Sequence, residues 1–341
     1  MKIRFTFMLL ILACCMLGLA FVILYDPGKQ TYFRTLANEI THSIQPRVQI
    51  DSTMNDDLVV IFNRVPKTGS TSFMKVVYGL INANKFSSLY VNISIKRPMT
   101  LLGESWLIHN ISRWKEVRPV IFHGHFPFVN FVKYGSSTNP VYINIIRDPL
   151  QRLVSFYYFM RYGDDFLPHK KRKRSGDKTT FDECVQKKGE DCQPELLWLQ
   201  IPYFCGNSPR CWHPGSKWAL AQAKKHLVDQ YLVVGVLEEV DKFIRILDNT
   251  LPRMFKGAIS AYSKGGGVHV RRTRQKKPLT QETIDYFKRS DIWKLENEFY
   301  QFVRGLFLQQ YDAMFRKRGS NSLKKSKILY QKVKIIKHFT Q

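Results

Sequence analysis

The longest apolar stretch of the chain lies at its start, where no residue from Phe5 to Tyr25 carries a charge. As a helix this run would be about 31 Å long, the thickness of a bilayer core. A cleaved signal peptide is the alternative, with Gly18-Leu19-Ala20 as a small-residue cleavage site. Signal cores, however, usually span only about 7–15 residues. We read 5–25 as a transmembrane signal-anchor, 1–4 as a cytoplasmic tail and 26–56 as a polar stem containing Pro27, Gly28 and Pro46. From residue 57 the pattern changes. Leu58–Phe62 is an unbroken apolar run, the mark of a strand buried on both faces. A small-residue turn follows it, then helical spacing from Ser70 to Ala83. Further strands are predicted at Pro119–His125, Val141–Ile146 and Leu232–Val236. Helices are predicted up to about Tyr162, over Glu238–Asn249, and from Gln281 to Phe315. Strands alternating with helices predict one α/β domain over 57–315, with a central parallel sheet flanked by helices. Residues 316–341 read as a basic, aliphatic tail.

Composition narrows the setting. Hydrophobic residues at 44% and aromatic residues at 13% are those of a packed globule. A formal net charge of +26 implies a polyanionic partner: nucleic acid, anionic lipid or a sulfated sugar polymer. The membrane span argues against nucleic acid. So do the sequons Asn92-Ile93-Ser94 and Asn110-Ile111-Ser112, which are of use only in the secretory lumen. Cys14 and Cys15 lie inside the span, leaving Cys184, Cys192, Cys205 and Cys211 in the body. Four cysteines allow three pairings, and nearest neighbours would close two short loops of the kind oxidising compartments favour. A zinc site is the rival, but no pair has the tight Cys-x2-4-Cys spacing. The chain therefore reads as a single-pass type II protein with a lumenal body.

Three constellations carry chemistry. Arg64-Val65-Pro66-Lys67-Thr68-Gly69-Ser70-Thr71-Ser72 sits between the first strand and its helix, where free backbone N–H groups cradle an anion. It is no Walker A loop, which counts against an ATPase or GTPase. Arg147-Asp148-Pro149 ends the third predicted strand; Asp148 and Pro149 suit N-cap and N1, and the Arg147 fork suits a phosphate. Ser155, two turns on, reads by itself as a packing residue. In Phe122-His123-Gly124-His125-Phe126 a spacing of two puts both imidazoles on one face of a strand, placed for proton transfer. Two core histidines, or half of a metal site, remain alternatives there. Basic residues gather at Lys170-Lys171-Arg172-Lys173-Arg174 and again at Arg271, Arg272, Arg274, Lys276 and Lys277.

Together Pro66–Thr71, the Arg147-x7-Ser155 pattern and His123-Gly124-His125 resemble the Golgi carbohydrate sulfotransferases, in particular the heparan sulfate 2-O-sulfotransferase family. The likeness runs from about Asp57 to Phe302 and includes Phe181–Cys184, Leu197–Pro202 and Ser290–Lys294. It implies a P-loop-like sulfotransferase fold. It also implies a 3′-phosphoadenosine-5′-phosphosulfate donor, no metal, and transfer to the 2-hydroxyl of a uronic acid, mainly iduronic, in heparan sulfate. The Lys67–Thr71 loop would hold the 5′-phosphosulfate, and Arg147 and Ser155 the 3′-phosphate. His125 would take the hydroxyl proton with His123 assisting, and Lys67 would steady the leaving phosphate. Arg64, Tyr78, Arg172 and Arg271 would meet the acceptor; Tyr262, Thr273 and Lys276 would lie near the nucleotide. The resemblance further implies the pairs Cys184–Cys192 and Cys205–Cys211, residence in the Golgi membrane, and a homotrimer. Two departures stand out: the family carries alanine at Gly69, a mild change by size, and Lys264-Gly265-Gly266-Gly267-Val268 differs from its loop. The competing readings are a uronyl 2-O-sulfotransferase acting on dermatan or chondroitin sulfate, and a non-catalytic heparin-binding membrane protein.

Overall fold

The computed structural model describes residues 56–93, 98–164, 167, 169–264 and 275–315. The expected anchor, most of the stem, the basic tail, Arg271 and Thr273 lie outside these. Among the described residues no helix is long and apolar enough to cross a membrane.

In chain order the main elements are β1 (Val59–Asn63), α1 (Ser70–Asn84), β2 (Ser87–Tyr90), α2 (Leu101–Arg113), β3 (Val120–Gly124) and β4 (Val141–Ile146). There follow α3 (Pro149–Tyr162), α4 (Lys217–Gln230), β5 (Tyr231–Val236), α5 (Val240–Thr250), α6 (Gln281–Arg289) and α7 (Asp291–Phe315). Short helical turns fill the connections. The sheet has five strands in the order β2-β3-β1-β4-β5, and every pairing is parallel. The four strands expected from apolar runs are present within a residue or two. β2 was not foreseen: Ser-Ser-Leu-Tyr is a half-exposed edge strand without an apolar run. The helices expected from Gln281 to Phe315 are α6 and α7, parted at Ser290, which caps α6 and whose hydroxyl accepts from Trp293 N–H.

β1 lies in the middle, buried along its whole length, as the apolar run requires. Phe62 is opposite His123 of β3 on one side and Ile143 of β4 on the other. From β1 the chain goes to the edge strand β2, returns to β3 beside β1, and then crosses to β4 and outward to β5 on the other flank. The order thus reverses beside β1, and at such a switch point the carboxyl ends of the strands leave a crevice. α1 is pinned over the sheet by Phe73, whose ring meets Phe62 at 5.1 Å, Phe243 at 5.3 Å and Phe255 at 6.1 Å. Each such pair adds about 0.5–1.5 kcal/mol beyond its buried area. α7 packs through Glu296, Phe299, Tyr300, Val303 and Phe307, the spacing of one helical face. A smaller apolar cluster joins α3, the 181–197 segment and Phe287 of α6, and includes Cys184 and Cys192. The two disulfides are Cys184–Cys192 and Cys205–Cys211.

Candidate active site

The candidate residues converge on the carboxyl ends of β1, β3 and β4. After β1 the chain turns through Lys67 (φ 69°) and Gly69 (φ 80°), both left-handed, and enters α1 at Ser70. No side chain caps α1 and its first turn holds no acid, so its N-terminal N–H groups face the crevice as an anion cradle. A Cβ at Gly69 would stand 2.3 Å from Leu237 Cδ1, the end of a flexible side chain that can turn aside, so the cost of alanine at this position comes from the left-handed backbone. The Thr68 side chain does not face the crevice. It is fully buried and its hydroxyl donates to Val65 O at 2.9 Å, so only its backbone N–H is available to a phosphate.

The second group surrounds Arg147, just past β4. Its guanidinium donates to Lys67 O at 3.4 Å, tying the β4 end to the loop after β1. Lys276 joins it from the far side of the chain, donating to Gln151 Oε1 at 2.6 Å. Burial first, then the neighbouring charge of Arg147, bring the Lys276 ammonium down to about 8. Burial also lowers Arg147, against the pull of Glu238 and Asp148. Two cations pressed together with partial desolvation are arranged to receive a multiply charged anion. Gln151, Ser155 and Phe159 form one i, i+4 ridge of α3. Ser155 is half-buried on that ridge, between Gln151 at the Lys276 end and Phe159 at the Lys67 end. Lys67 Nζ lies 4.1 Å from the Phe159 ring centre and the Arg172 guanidinium lies 4.5 Å from the same centre.

The third group is built on Arg64. Its guanidinium contacts His123 Nδ1 at 3.3 Å and donates to Thr71 Oγ1 at 3.3 Å; its carbonyl lies 2.7 Å from His125 Nδ1. Arginine only donates, so His123 Nδ1 accepts, and the neutral ring carries its proton on Nε2, 3.2 Å from the Tyr78 hydroxyl. A carbonyl only accepts, so His125 donates from Nδ1, and its basic lone pair is on Nε2. Burial first, then the charges of Arg64 and His125, depress the His123 imidazole from 6.5 to about 4. The two histidines thus have unlike roles: His123 is a neutral buried link, and His125 is the one with its base nitrogen turned from the backbone. Gly124 between them is obligatory, since a Cβ would come within 2.4 Å of Val91 O. Tyr78 and Tyr90 stand exposed beside the His123 ring, their ring centres at 6.0 and 5.4 Å.

Other expected residues sit further out. Tyr262 is half-buried on the short helix Ala258–Lys264, and burial raises its hydroxyl above the usual range. Arg172 is half-buried near Asp164, at 4.0 Å. Arg174 pairs with Asp191 at 2.8 Å, and Arg161 bridges Asp177 and Asp191 beneath it, so the basic run is anchored, while Lys170, Lys171 and Lys173 stay exposed. Asn92 is exposed just past β2, and Asn110 lies on α2 with its amide donating to Trp106 O at 2.7 Å. Among the described residues no cluster of three or more His, Cys, Asp or Glu could hold a metal ion. The sequence reading missed Gln151 and Phe159, although their spacing with Ser155 was a usable signal.

An uncapped helix start, converging cations and a histidine base at one sheet edge describe a group-transfer enzyme with an anionic donor. A sequence model described as Sulfotransferase family matches residues 51–303, and the chain belongs to that family. The chain is 46% identical to heparan sulfate 2-O-sulfotransferase 1 of Gallus gallus, over 84% of this chain and 82% of that protein. It is 44% identical to heparan sulfate 2-O-sulfotransferase 1 of Homo sapiens (90% and 89% covered). It is 40% identical to heparin sulfate O-sulfotransferase of Drosophila melanogaster (89% and 89%). Among solved structures, a mouse sulfotransferase complexed with PAP shares 11% identity at a TM-score of 0.37, covering 76% of this chain and 93% of that one.

Proposed function

We propose that this chain moves a sulfuryl group from 3′-phosphoadenosine-5′-phosphosulfate to the 2-hydroxyl of a uronic acid, mainly iduronic acid, in heparan sulfate. One observation carries the reading: a single crevice holds the uncapped start of α1, the Arg147–Lys276 pair and the His125 base, on strands flanking β1. The relatives named above support the acceptor. The residues present fit the donor: backbone N–H groups and Lys67 for the 5′-phosphosulfate, Arg147, Lys276 and the Ser155 face of α3 for the 3′-phosphate.

His125 Nε2 takes the proton of the sugar hydroxyl. As it does so, the hydroxyl oxygen forms its bond to sulfur and the bond from sulfur to the 5′-phosphate oxygen breaks. Lys67 and the α1 amides neutralise the charge that collects on that departing oxygen. His123, through Arg64 and Tyr78, holds the acceptor side in place, so positioning supplies much of the acceleration. Lys170, Lys171, Lys173, Arg172 and Arg271 would extend the grip along a polyanionic chain.

The two disulfides and the net charge of +26 support a lumenal body behind the 5–25 anchor, in the Golgi membrane. The homotrimer is carried by the family resemblance, and light scattering of the purified protein tests it. The activity is tested by transfer of labelled sulfate to N-sulfated heparosan, with chondroitin and dermatan alongside, followed by digestion to disaccharides. Label at the uronic acid 2-position of heparan alone, lost in Lys67→Ala and His125→Ala, is the expected result. Label on dermatan would move the substrate, and no transfer with no donor binding would leave a polyanion-binding protein.

A further inference from the structure

Behind Arg147 lies a layer of buried polar contacts that the transfer chemistry does not use. β4 ends at Ile146, so the Arg147 peptide groups must find partners beyond the sheet. The fully buried Gln200 provides both: its Oε1 accepts from Arg147 N–H at 2.9 Å and its Nε2 donates to Arg147 O at 2.9 Å. The same Nε2 reaches Glu296 Oε2 at 3.4 Å. Glu296 on α7 is itself fully buried, and its Oε1 accepts from Leu199 N–H at 2.9 Å and Ile201 N–H at 3.1 Å. One carboxylate therefore holds both backbone neighbours of Gln200 and the tip of its side chain.

The direction of this chain of bonds matters. The two ends of an amide differ only in which of them donates. Arg147's own peptide groups already place Oε1 toward the N–H and Nε2 toward the carbonyl; an ionised Glu296 carboxylate, which only accepts, backs that orientation from behind and holds the side chain in place. We propose that Gln200, held in place by Glu296, is a positioning residue that sets the Arg147 guanidinium for the donor's 3′-phosphate. This rests on the donor-site reading of Arg147 given above.

Burial raises the Glu296 carboxyl to about 7, against the charge of Arg152 and the bonds from Leu199, Ile201 and Gln200. Arg152, buried on α3 and donating to Leu196 O and Leu197 O, is the charged group that faces it. With Oε1 already taken by two N–H groups, a proton added to Glu296 falls on Oε2, donor against donor with Gln200. The Gln200 side chain is then pushed from Glu296 while still bonded to the Arg147 peptide, and the grip on the 3′-phosphate weakens as the pH falls.

The test is calorimetric binding of PAP and of AMP, which lacks the 3′-phosphate, to the full-length protein at pH 6 and pH 8. In wild type the preference for PAP over AMP should be larger at pH 8. Glu296→Gln keeps the size and the backbone acceptor but offers Gln200 a donor; it should cut that preference about tenfold at pH 8 and reduce its pH dependence. Gln200→Met should do the same and raise the donor KM, with the acceptor KM within twofold. Unchanged PAP-over-AMP preference in both variants, with only a lower melting temperature, would make the layer a mere brace and overturn the proposal. Arg147→Ala separates the two readings. If it too keeps the preference, the donor-site reading of Arg147 fails; if it alone loses it, only the role of Gln200 fails.

Discussion

The unequal surroundings of the two histidines allow a sharp test. His123 is held near 4 by burial and by Arg64, so at pH 7 only about one molecule in a thousand carries a proton there. Both its ring nitrogens are also engaged, by Arg64 and by Tyr78. A base so weak and so occupied gives little drive to proton transfer, whereas a well-placed general base contributes about 10²–10⁴-fold. His125→Ala should therefore lose about 10²–10⁴ in kcat. His123→Asn keeps an acceptor for Arg64 and gives up the bond to Tyr78. One hydrogen bond is worth about 1 kcal/mol, so about fivefold should be lost. The assay is steady-state sulfate transfer to N-sulfated heparosan from pH 5 to 9, with melting temperatures as a control. Any acid limb above about 4 comes from a group other than His123, and should persist unshifted in His123→Asn. If His123→Asn loses as much as His125→Ala in a folded protein, or if it moves the acid limb, the division of roles is wrong.

Three further outcomes follow from the geometry. Gly69→Ala should destabilise by about 1–2 kcal/mol from its left-handed backbone; because the Leu237 Cδ1 in its way is the tip of a flexible side chain, Leu237→Ala should leave that cost nearly unchanged in a urea-melt double-mutant cycle. His123 and Glu296 pull stability in opposite directions with pH. The His123 contribution is complete above 6.5 and lost as the pH falls toward about 4; the Glu296 contribution is complete below 4.5 and lost as the pH rises through about 7. Glu296→Gln should expose the histidine slope, a loss of at most about 3 kcal/mol on acidification, read by denaturant melts at stepped pH. Replacing Cys184 and Cys192 by serine should cost about 2–3 kcal/mol by the loop-entropy argument, measured by thermal unfolding; no loss would mean the reduced chain keeps that loop closed by packing.

The core strands were legible because β1, β3, β4 and β5 are buried on both faces and so write mostly apolar runs, interrupted only at Asn63, His123 and Asn144. β2 wrote no such run, since it is an edge and its four residues lie at the surface or half-buried. Loop chemistry was legible where residue type and position both mattered, as with Lys67, Gly69 and Arg147. What stayed hidden depends on contacts between distant segments. Thr68 reads as part of the phosphate loop, and only the fold shows that its hydroxyl is turned inward to Val65 O. Gly69 reads as close to alanine by size until the fold sets its backbone at φ 80°. Gln200 and Glu296 meet across 96 positions of sequence, and nothing local marks either as more than a polar residue in an apolar stretch.

The placement of β1 has a further consequence. In the proposed reading the nucleotide groups stand on β4, α3, the Lys276 segment and the start of α1, while His123, His125 and Tyr90 stand on the flank of β3 and β2 and Tyr78 further along α1. The two flanks share β1, its turn and α1. Mutations that reshape the sugar-facing flank can thus accumulate without retuning the nucleotide flank, so one scaffold can be tuned to different polymers while its fuel stays the same. The turn after β1 is the exception: in the proposed reading Arg64 serves the sugar side and Lys67 the nucleotide side within a few residues, making that turn the least free to drift.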